Sequence, residues 1–194
     1  MKLLYSIALL ALFLVPASSF AQVGIYVNPI ATHVSTSEAD HGVFAFLGDN
    51  TTSRMFWGVN MGAYYDRWHG QKYDLGLDVR DTITGANNAR MNEFLVGARV
   101  VAKSWSPSWR PYVQLSGGAG TTRAPHSTVS TTRATWNVYA GADYRWTRYI
   151  DIKVMEVGYG TLTTISSASV GSAATTLPSA NLLHFSAGLV FRIR

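Results

Sequence analysis

The sequence contains no cysteine, so no disulfide can cross-link the chain and no thiol chemistry is available to it. After residue 21, no stretch approaches the 18 or so uninterrupted apolar residues that a membrane-spanning helix needs. The net charge of +5 comes from basic residues interleaved with Asp and Glu. Because these residues form no basic stripe, the composition argues against nucleic-acid binding.

The first 21 residues have the layout of a secretory signal peptide. A short basic start precedes the apolar run Leu3–Val15, which is too short to suit a spanning helix. Ser19 and Ala21 are small residues at the two positions that a signal peptidase reads. We predict a signal peptide over 1–21 and a single mature domain over 22–194. A buried helix or an uncleaved anchor is the alternative.

The segment Lys72–Ile83, KYDLGLDVRDTI, alternates apolar and charged residues. Neighbouring side chains in a strand point to opposite faces. One face therefore carries Leu75 and Leu77, and the other carries Asp78 and Arg80. A soluble barrel would turn the apolar face inward, whereas a membrane barrel would turn it toward lipid.

The same alternation recurs along the chain between turn-rich segments, and it predicts eight strands. Pro29 lies inside the first strand, although proline cannot donate a ladder hydrogen bond. The phase of the seventh strand slips at Glu156, and a β-bulge near Met155 would restore it and leave Val157 and Tyr159 facing outward. The predicted strands are 23–34, 53–66, 72–83, 92–103, 112–120, 133–146, 150–159 and 183–193.

The polar faces of nearly every predicted strand carry charges of both signs, whereas the opposite faces carry Ala, Val, Leu, Tyr and Trp without charge. Bilayer hydrocarbon offers no partner to backbone groups, so only a helix or a closed barrel can cross it. Strands that are apolar outward and polar inward are the signature of such a barrel. We therefore predict an all-β, eight-stranded, antiparallel, up-and-down transmembrane barrel, with a soluble lipocalin-like carrier as an alternative. The charges predicted to line the lumen are Asp66, Lys72, Asp74, Asp78, Arg80, Glu93, Arg99, Lys103, Arg133, Asp143, Arg145, Asp151, Lys153, Glu156 and Arg192.

The connections between strands alternate in length, as the outer loops and inner turns of membrane barrels do. Segments 35–52 and 160–181 are long and 121–132 is intermediate, but 84–89 is short where a long loop is expected. Six tryptophans lie near predicted strand ends, which is typical of aromatic girdles at two membrane–water interfaces. They are Trp57 and Trp136 at one end, and Trp68, Trp105, Trp109 and Trp146 at the short-turn end.

The signal peptide, the eight alternating strands and the closing segment LHFSAGLVFRIR together resemble the small outer-membrane β-barrel family, the OmpA/OmpX-like barrels of Gram-negative bacteria. The resemblance covers the whole mature chain and depends on pattern more than on motif. It implies an outer-membrane location, periplasmic termini and mobile outer loops. The implied partners are outer-membrane lipid and, during biogenesis, the outer-membrane assembly machinery.

A barrel of eight strands has an interior that side chains can fill, so we interpret the lumen charges as a mutually neutralising network in preference to an ion path. Glu156, His184 and Ser186 share the lumen face, and they are the residue types of an acyl hydrolase or transferase. The sequence shows no metal-ligand spacing and no cofactor motif, so we predict no catalytic, metal or cofactor site.

We therefore predict a non-enzymatic barrel with a structural, anchoring or surface-contact role, and a lipid-modifying enzyme is the alternative. Contact with an unknown extracellular partner would use the outer loops, because exposed loops on a rigid barrel are natural contact sites. The apolar segment 42–48 and the Ser/Thr/Ala-rich segment 160–181 are the loop candidates.

Overall fold

Eight antiparallel strands form a closed barrel in which each strand pairs with its neighbours in the sequence and β1 pairs with β8. The structure is a computed structural model that describes residues 22–103, 106, 108–171 and 177–193. It confirms the predicted eight-stranded up-and-down transmembrane barrel; the predicted signal peptide lies outside the described residues. The strands are β1 (Gln22–Asp40), β2 (Thr51–His69), β3 (Tyr73–Ala86), β4 (Ala89–Ala102), β5 (Trp109–Arg123), β6 (Ser130–Arg145), β7 (Ile150–Thr163) and β8 (Ser179–Ile193).

A five-residue helix, α1 (Ser167–Gly171), lies in the connection between β7 and β8. Within the described ranges, no helix has the length and hydropathy that crossing a membrane as a helix requires.

The apolar face of the barrel is the outer one. In β3, Asp78 and Arg80 are buried inside, whereas Leu75 and Leu77 lie on the outer surface. The exposed fraction of Leu77 is 51%. The same alternation of buried and exposed residues runs along β4 and β5. A lipocalin-like carrier needs the opposite arrangement, with an apolar cavity inside, so the structure contradicts that alternative.

The strands are longer than predicted, mostly at the long-loop end. β1 continues to Asp40, β6 begins at Ser130 and β7 continues to Thr163. The added segments are rich in Ser and Thr, whose polarity resembles that of a loop. The added ends of β6 and β7 pair in register, as Thr132 does with Thr121, because β-branched threonine suits a strand, whereas the end of β1 pairs with β2 only after a shift between Ser35 and Asp40.

Two local irregularities lie at residues that the sequence singles out, the predicted bulge near Met155 and Pro29. The pairing of β7 shifts between Lys153 and Glu156, and Val154 and Met155 both face outward there, as a β-bulge near Met155 requires. The β1–β8 pairing is interrupted between Val27 and Ile30, and this gap accommodates the missing donor of Pro29.

The short connection between β3 and β4 is a two-residue hairpin. Asn87 and Asn88 have φ angles of 46° and 62°, so both central residues are left-handed, as in a type I′ turn. Asparagine tolerates this conformation better than most residues do. This explains how so short a connection closes the long-loop end of the barrel between these two strands.

Candidate functional site

The centre of the lumen is organised around the carboxylate of Glu156. The Arg80 guanidinium donates to both of its oxygens at 3.1 Å, and Lys153 Nζ donates to Oε2 at 3.0 Å. The Tyr112 hydroxyl donates to Oε2 at 2.7 Å and the Ser186 hydroxyl to Oε1 at 3.1 Å. Bidentate, charge-assisted bonds of this kind are the strong ones in a protein.

A second carboxylate, Asp78, completes this central cluster. Asp78 accepts from Arg80 Nε at 3.1 Å, from the Tyr26 hydroxyl at 2.9 Å and from the Gln114 amide at 2.8 Å. Arg80 also lies over the Tyr139 ring, with Cζ 3.8 Å from its centroid. Two cations, Arg80 and Lys153, therefore face two carboxylates, Asp78 and Glu156, and the formal charge of the cluster is zero.

The β-bulge in β7 makes part of this cluster possible. In a regular strand, Lys153 and Glu156 would point to opposite faces, since the side-chain period is two. The extra outward residue turns both inward, and their side chains meet at 3.0 Å. The bulge therefore places the second cation beside the central carboxylate.

A second group of ion pairs lies toward the short-turn end. Arg99 bonds Asp143 at 2.6 Å and lies between two tyrosine rings, those of Tyr64 and Tyr112, with Cζ 3.9 and 4.1 Å from their centroids. Further pairs in this group include Arg110 with Asp66 at 3.2 Å, Arg192 with Asp151 at 2.9 Å, and Lys103 with Asp74 at 2.7 Å.

A third group surrounds Glu93, toward the long-loop end. The Asn137 amide donates to Glu93 at 3.0 Å, and His184 Nε2 lies 3.6 Å from the same carboxylate. The other ring nitrogen of His184 is bonded to the Thr32 hydroxyl at 2.9 Å, across the β1–β8 seam.

The three residues of the acyl-transfer hypothesis do not form a relay. The Ser186 hydroxyl donates to the Glu156 carboxylate, and His184 is engaged by Thr32 and Glu93. A nucleophile would instead need its proton in contact with a base that a third group orients. The Glu156 carboxylate is also paired with Arg80 and Lys153.

Most of the predicted lumen charges lie inside the barrel. Lys72 does not: β3 begins only at Tyr73, so Lys72 lies in the preceding turn and is exposed. Arg133 is exposed at the long-loop rim, because β6 extends beyond the filled part of the lumen. Lys103 is exposed just after β4, where it reaches Asp74, and Arg145 is half-buried at the short-turn mouth. The buried members are Asp66, Asp74, Asp78, Arg80, Glu93, Arg99, Asp143, Asp151, Lys153, Glu156 and Arg192.

Sequence reasoning from charges alone misses the uncharged half of the network. Buried tyrosines, Tyr26, Tyr64, Tyr112 and Tyr139, separate and bond the ions. Position gave a signal for two of them, because Tyr64 and Tyr139 share a predicted polar face with charged residues. Sequence reasoning missed Arg110 because Pro107 and Pro111 indicate a turn there, whereas β5 already begins at Trp109.

The apolar segment 42–48 closes the long-loop end of the lumen, which corrects its interpretation as an exposed contact patch. Ala45, Phe46 and Leu47 are buried, and Phe46 stacks on Phe56 with ring centroids 5.1 Å apart. We call this cluster the apolar cap. Its buried residues are Val34, Phe46, Leu47, Phe56, Ala89, Met91, Ala124, Leu162, Ile165, Ala180 and Leu182.

The two long loops are bonded to each other beside the apolar cap. The Ser167 hydroxyl donates to Asp40 Oδ1 at 2.7 Å, and its backbone N–H donates to Oδ2 of the same residue. Ile165 joins the cap, and its N–H donates to Thr122 at 3.1 Å. The described parts of these loops are therefore anchored over the barrel mouth.

Within the lipid-facing belt of β3, Asp81 breaks the expectation of a charge-free outer face. Asp81 lies on the outer face of β3, between Val79 and Ile83, and it pairs with Phe94 on β4. Its polar neighbour is the Asn92 amide. The sequence already contained this exception, since Asp81 continues the apolar phase of Leu77 and Val79.

The described tryptophans all point outward, and Trp57 and Trp136 lie six residues inside their strands because β2 and β6 extend beyond the predicted ends. Trp57 and Trp136 lie toward the long-loop end, and Trp68, Trp109 and Trp146 toward the short-turn end. Trp105 lies outside the described residues. Within those residues, no three His, Asp or Glu side chains come together as a metal ion would require.

Comparison with known proteins gives a match in fold without a match in sequence. No protein-family model matches the chain. No curated protein matches it either. Neisserial surface protein A superposes with a TM-score of 0.56 at 13% identity, over 88% of this chain and 96% of that one. Ail, the attachment invasion locus protein of Yersinia pestis, gives a TM-score of 0.56 at 13% identity, over 89% of this chain and 99% of that one.

These two proteins are similar in fold to this chain over nearly their whole lengths. At this identity the likeness concerns architecture and leaves function open. The chain has the fold of the small eight-stranded outer-membrane β-barrels, as the resemblance in its sequence indicated.

Proposed function

We propose that this chain is a non-enzymatic integral outer-membrane protein, exported by its signal peptide, with a structural, anchoring or surface-contact role. Its partners are outer-membrane lipid and, during biogenesis, the outer-membrane assembly machinery. A partner outside the cell would contact the outer loops. The observation that carries the proposal is that the lumen is filled by ion pairs and covered by the apolar cap.

The filling is tight at the level of the central cluster. Arg80, Lys153, Tyr26 and Tyr139 have their side chains almost entirely buried inside the barrel, although all four are large. Each cation there has carboxylate partners, so moving one aside to admit a solute would leave a buried charge uncompensated. This supports a role that does not depend on transport through the lumen.

The groups that suggested acyl-transfer chemistry support a structural role instead. Ser186 is only 6% exposed and bonds a carboxylate that two cations neutralise. His184 is buried against Thr32 and Glu93. A lipid acyl chain would need access to the nucleophile from the bilayer, and the wall of the barrel lies between them.

The surface available to a partner is narrower than the loop lengths suggest. Segment 42–48 is largely committed to the apolar cap, but Val43 in it is 72% exposed. His41 and Asp49 are exposed on either side of it. These loop tips are the part of the long-loop end that would offer contact.

Planar-bilayer recording tests the sealed lumen. We expect no stable single-channel steps from the wild-type protein. We expect the same from a Phe46→Ala variant, because the central ion pairs remain when the apolar cap is loosened. Large, stable conductance of the wild type would contradict the proposal.

A further inference from the structure

A polar groove of about 360 Å³ lies at the long-loop end, apart from the lumen clusters. It lies against the hairpin between β3 and β4 and the connection between β5 and β6. None of its lining residues is acidic. They are Asn88, Arg90, Arg123, His126, Ser127 and Thr128.

Arg90 and Arg123 are directly opposite each other in the β4–β5 ladder. Both lie on the outer face, because their neighbours Met91 and Thr122 are buried inside. Like charges in this position destabilise a sheet. Among the described residues, neither guanidinium has a carboxylate within salt-bridge distance, so the repulsion has no counter-charge within the described chain.

The Arg123 guanidinium is also incompletely bonded. Its Nε is buried and has no hydrogen-bond partner within the described chain. A buried donor without a partner carries a desolvation penalty. An anion in the groove would accept from this donor and at the same time neutralise the pair.

The loops beside the arginines are held in an unusual conformation. Asn88 and His126 have φ angles of 62° and 51°, and their side chains meet at 3.3 Å. Non-glycine residues in the left-handed region are uncommon and cluster at functional sites. This contact joins the two connections that form the walls of the groove.

The groove lies just beyond the apolar belt. On β4, Arg90 stands beyond Phe94, and on β5, Arg123 stands beyond Ala119, and both of these residues are exposed on the outer face. Gly85, the partner of Arg90 on β3, pairs on its other side with Trp57, one of the two tryptophans toward the long-loop end. The arginines are therefore at the height of lipid headgroups and still face solvent.

We propose that the Arg90–Arg123 groove binds a phosphate group. Two guanidinium forks match the oxygens of a phosphate, and Arg is suited to such bidentate recognition. The phosphate belongs either to a membrane lipid headgroup or to a soluble phosphorylated compound. The lipid source depends on the membrane location proposed above, whereas the anion site itself does not.

The test uses the arginine Nε–Hε resonances of the full-length mature protein in maltoside micelles, a detergent without phosphate. The two probes are inorganic pyrophosphate and short-chain phosphatidic acid. Short-chain phosphatidylcholine is the lipid control; its zwitterionic headgroup should not shift the Arg90 or Arg123 signal, and an equal shift with it would overturn the headgroup site. We expect saturable shifts of the Arg90 and Arg123 signals. The Arg133 signal should not move, since Arg133 is exposed at the same end but does not line the groove.

The response to the two probes identifies the source of the phosphate. Shifts with phosphatidic acid but not with pyrophosphate indicate a headgroup site. Shifts with pyrophosphate, whether or not phosphatidic acid also gives them, indicate a site open to soluble phosphates. R90Q and R123Q should each weaken the affinity roughly tenfold, and Arg133→Gln should leave it unchanged.

No saturable shift with either probe would overturn the proposal, as would an equal response of Arg133. The wild-type titration decides this even if a variant fails to fold. A conducting barrel would overturn the proposed function and leave this titration unaffected, so the two failures are distinguishable.

Discussion

Replacing Glu156 with glutamine tests the central cluster most severely. The substitution keeps the size of the side chain and removes the charge that Arg80 and Lys153 share. The cluster then holds two buried cations and one carboxylate, Asp78. Breaking a buried ion pair by neutralising one partner costs about 3–5 kcal/mol. We expect Glu156→Gln to lower the free energy of unfolding by that amount.

A second substitution separates charge balance from simple loss of contacts. Lys153→Met in the Glu156→Gln background leaves one cation, Arg80, with one carboxylate, Asp78, and it removes one further hydrogen bond, to Tyr112. If neutrality governs the cluster, the double variant is more stable than Glu156→Gln by at least about 1 kcal/mol. If contacts alone matter, the double variant is less stable than either single variant.

The assay is urea unfolding in phospholipid vesicles, followed by tryptophan emission. Asp49→Asn is the matched control, because Asp49 is exposed, its ion pair with His41 is long at 3.9 Å, and asparagine keeps the oxygen that accepts from the Gly42 N–H. Its effect should stay within about 0.5 kcal/mol. A loss below about 1 kcal/mol for Glu156→Gln would refute the reasoning, since a wet lumen would screen these charges as bulk water does.

Three further predictions follow from the faces of the barrel. Leu77→Arg should cost about 2–4 kcal/mol in vesicle unfolding, because it places a charge on the lipid face near the middle of β3, and a negligible loss would argue against a lipid environment there. Asp81→Leu should instead raise the free energy of unfolding by about 1 kcal/mol in the same assay, because it removes the lipid-facing carboxylate, and a destabilised variant would mean that the hydrogen bond between Asn92 and Asp81 outweighs the cost of the charge. Phe46→Ala removes about 3–5 kcal/mol of packing and should speed amide hydrogen exchange in 42–48 while the strands stay protected. The exposed Val43→Ala is its control and should leave exchange unchanged.

The architecture was predictable from the sequence because a barrel wall has one strict requirement. Each strand must present an apolar face to lipid. Because side chains alternate between the two faces of a strand, the sequence then alternates apolar and polar residues. The bulge near Met155 was predictable for the same reason, since Glu156 would otherwise face lipid. Strand ends were less predictable, because the polar ends of β1 and β6 lie beyond the belt and show no regular alternation of buried and exposed residues.

The contents of the lumen were predictable as a set of charges but not as pairs. Which carboxylate meets Arg80 depends on the β-barrel closing, and Glu156 lies 76 residues further along the chain. The interpretation of segment 42–48 as an exposed contact patch was wrong, because Ala45, Phe46 and Leu47 are buried. An apolar loop segment fits an exposed contact site and a folded-in cap equally well, and only the position of Phe56 on β2 decides between them.

The most direct test of the account is the orientation of two neighbouring residues, Leu77 and Asp78. The chain has no cysteine, so Leu77→Cys and Asp78→Cys each introduce a unique thiol. In intact membranes, a cysteine at position 77 should react with a lipid-soluble maleimide and resist a charged one. A cysteine at position 78 should resist the lipid-soluble reagent, because Asp78 is buried among the ion pairs of the lumen. Equal reaction of position 77 with both reagents, or reaction of position 78 from the lipid, would mean that the barrel is inside out.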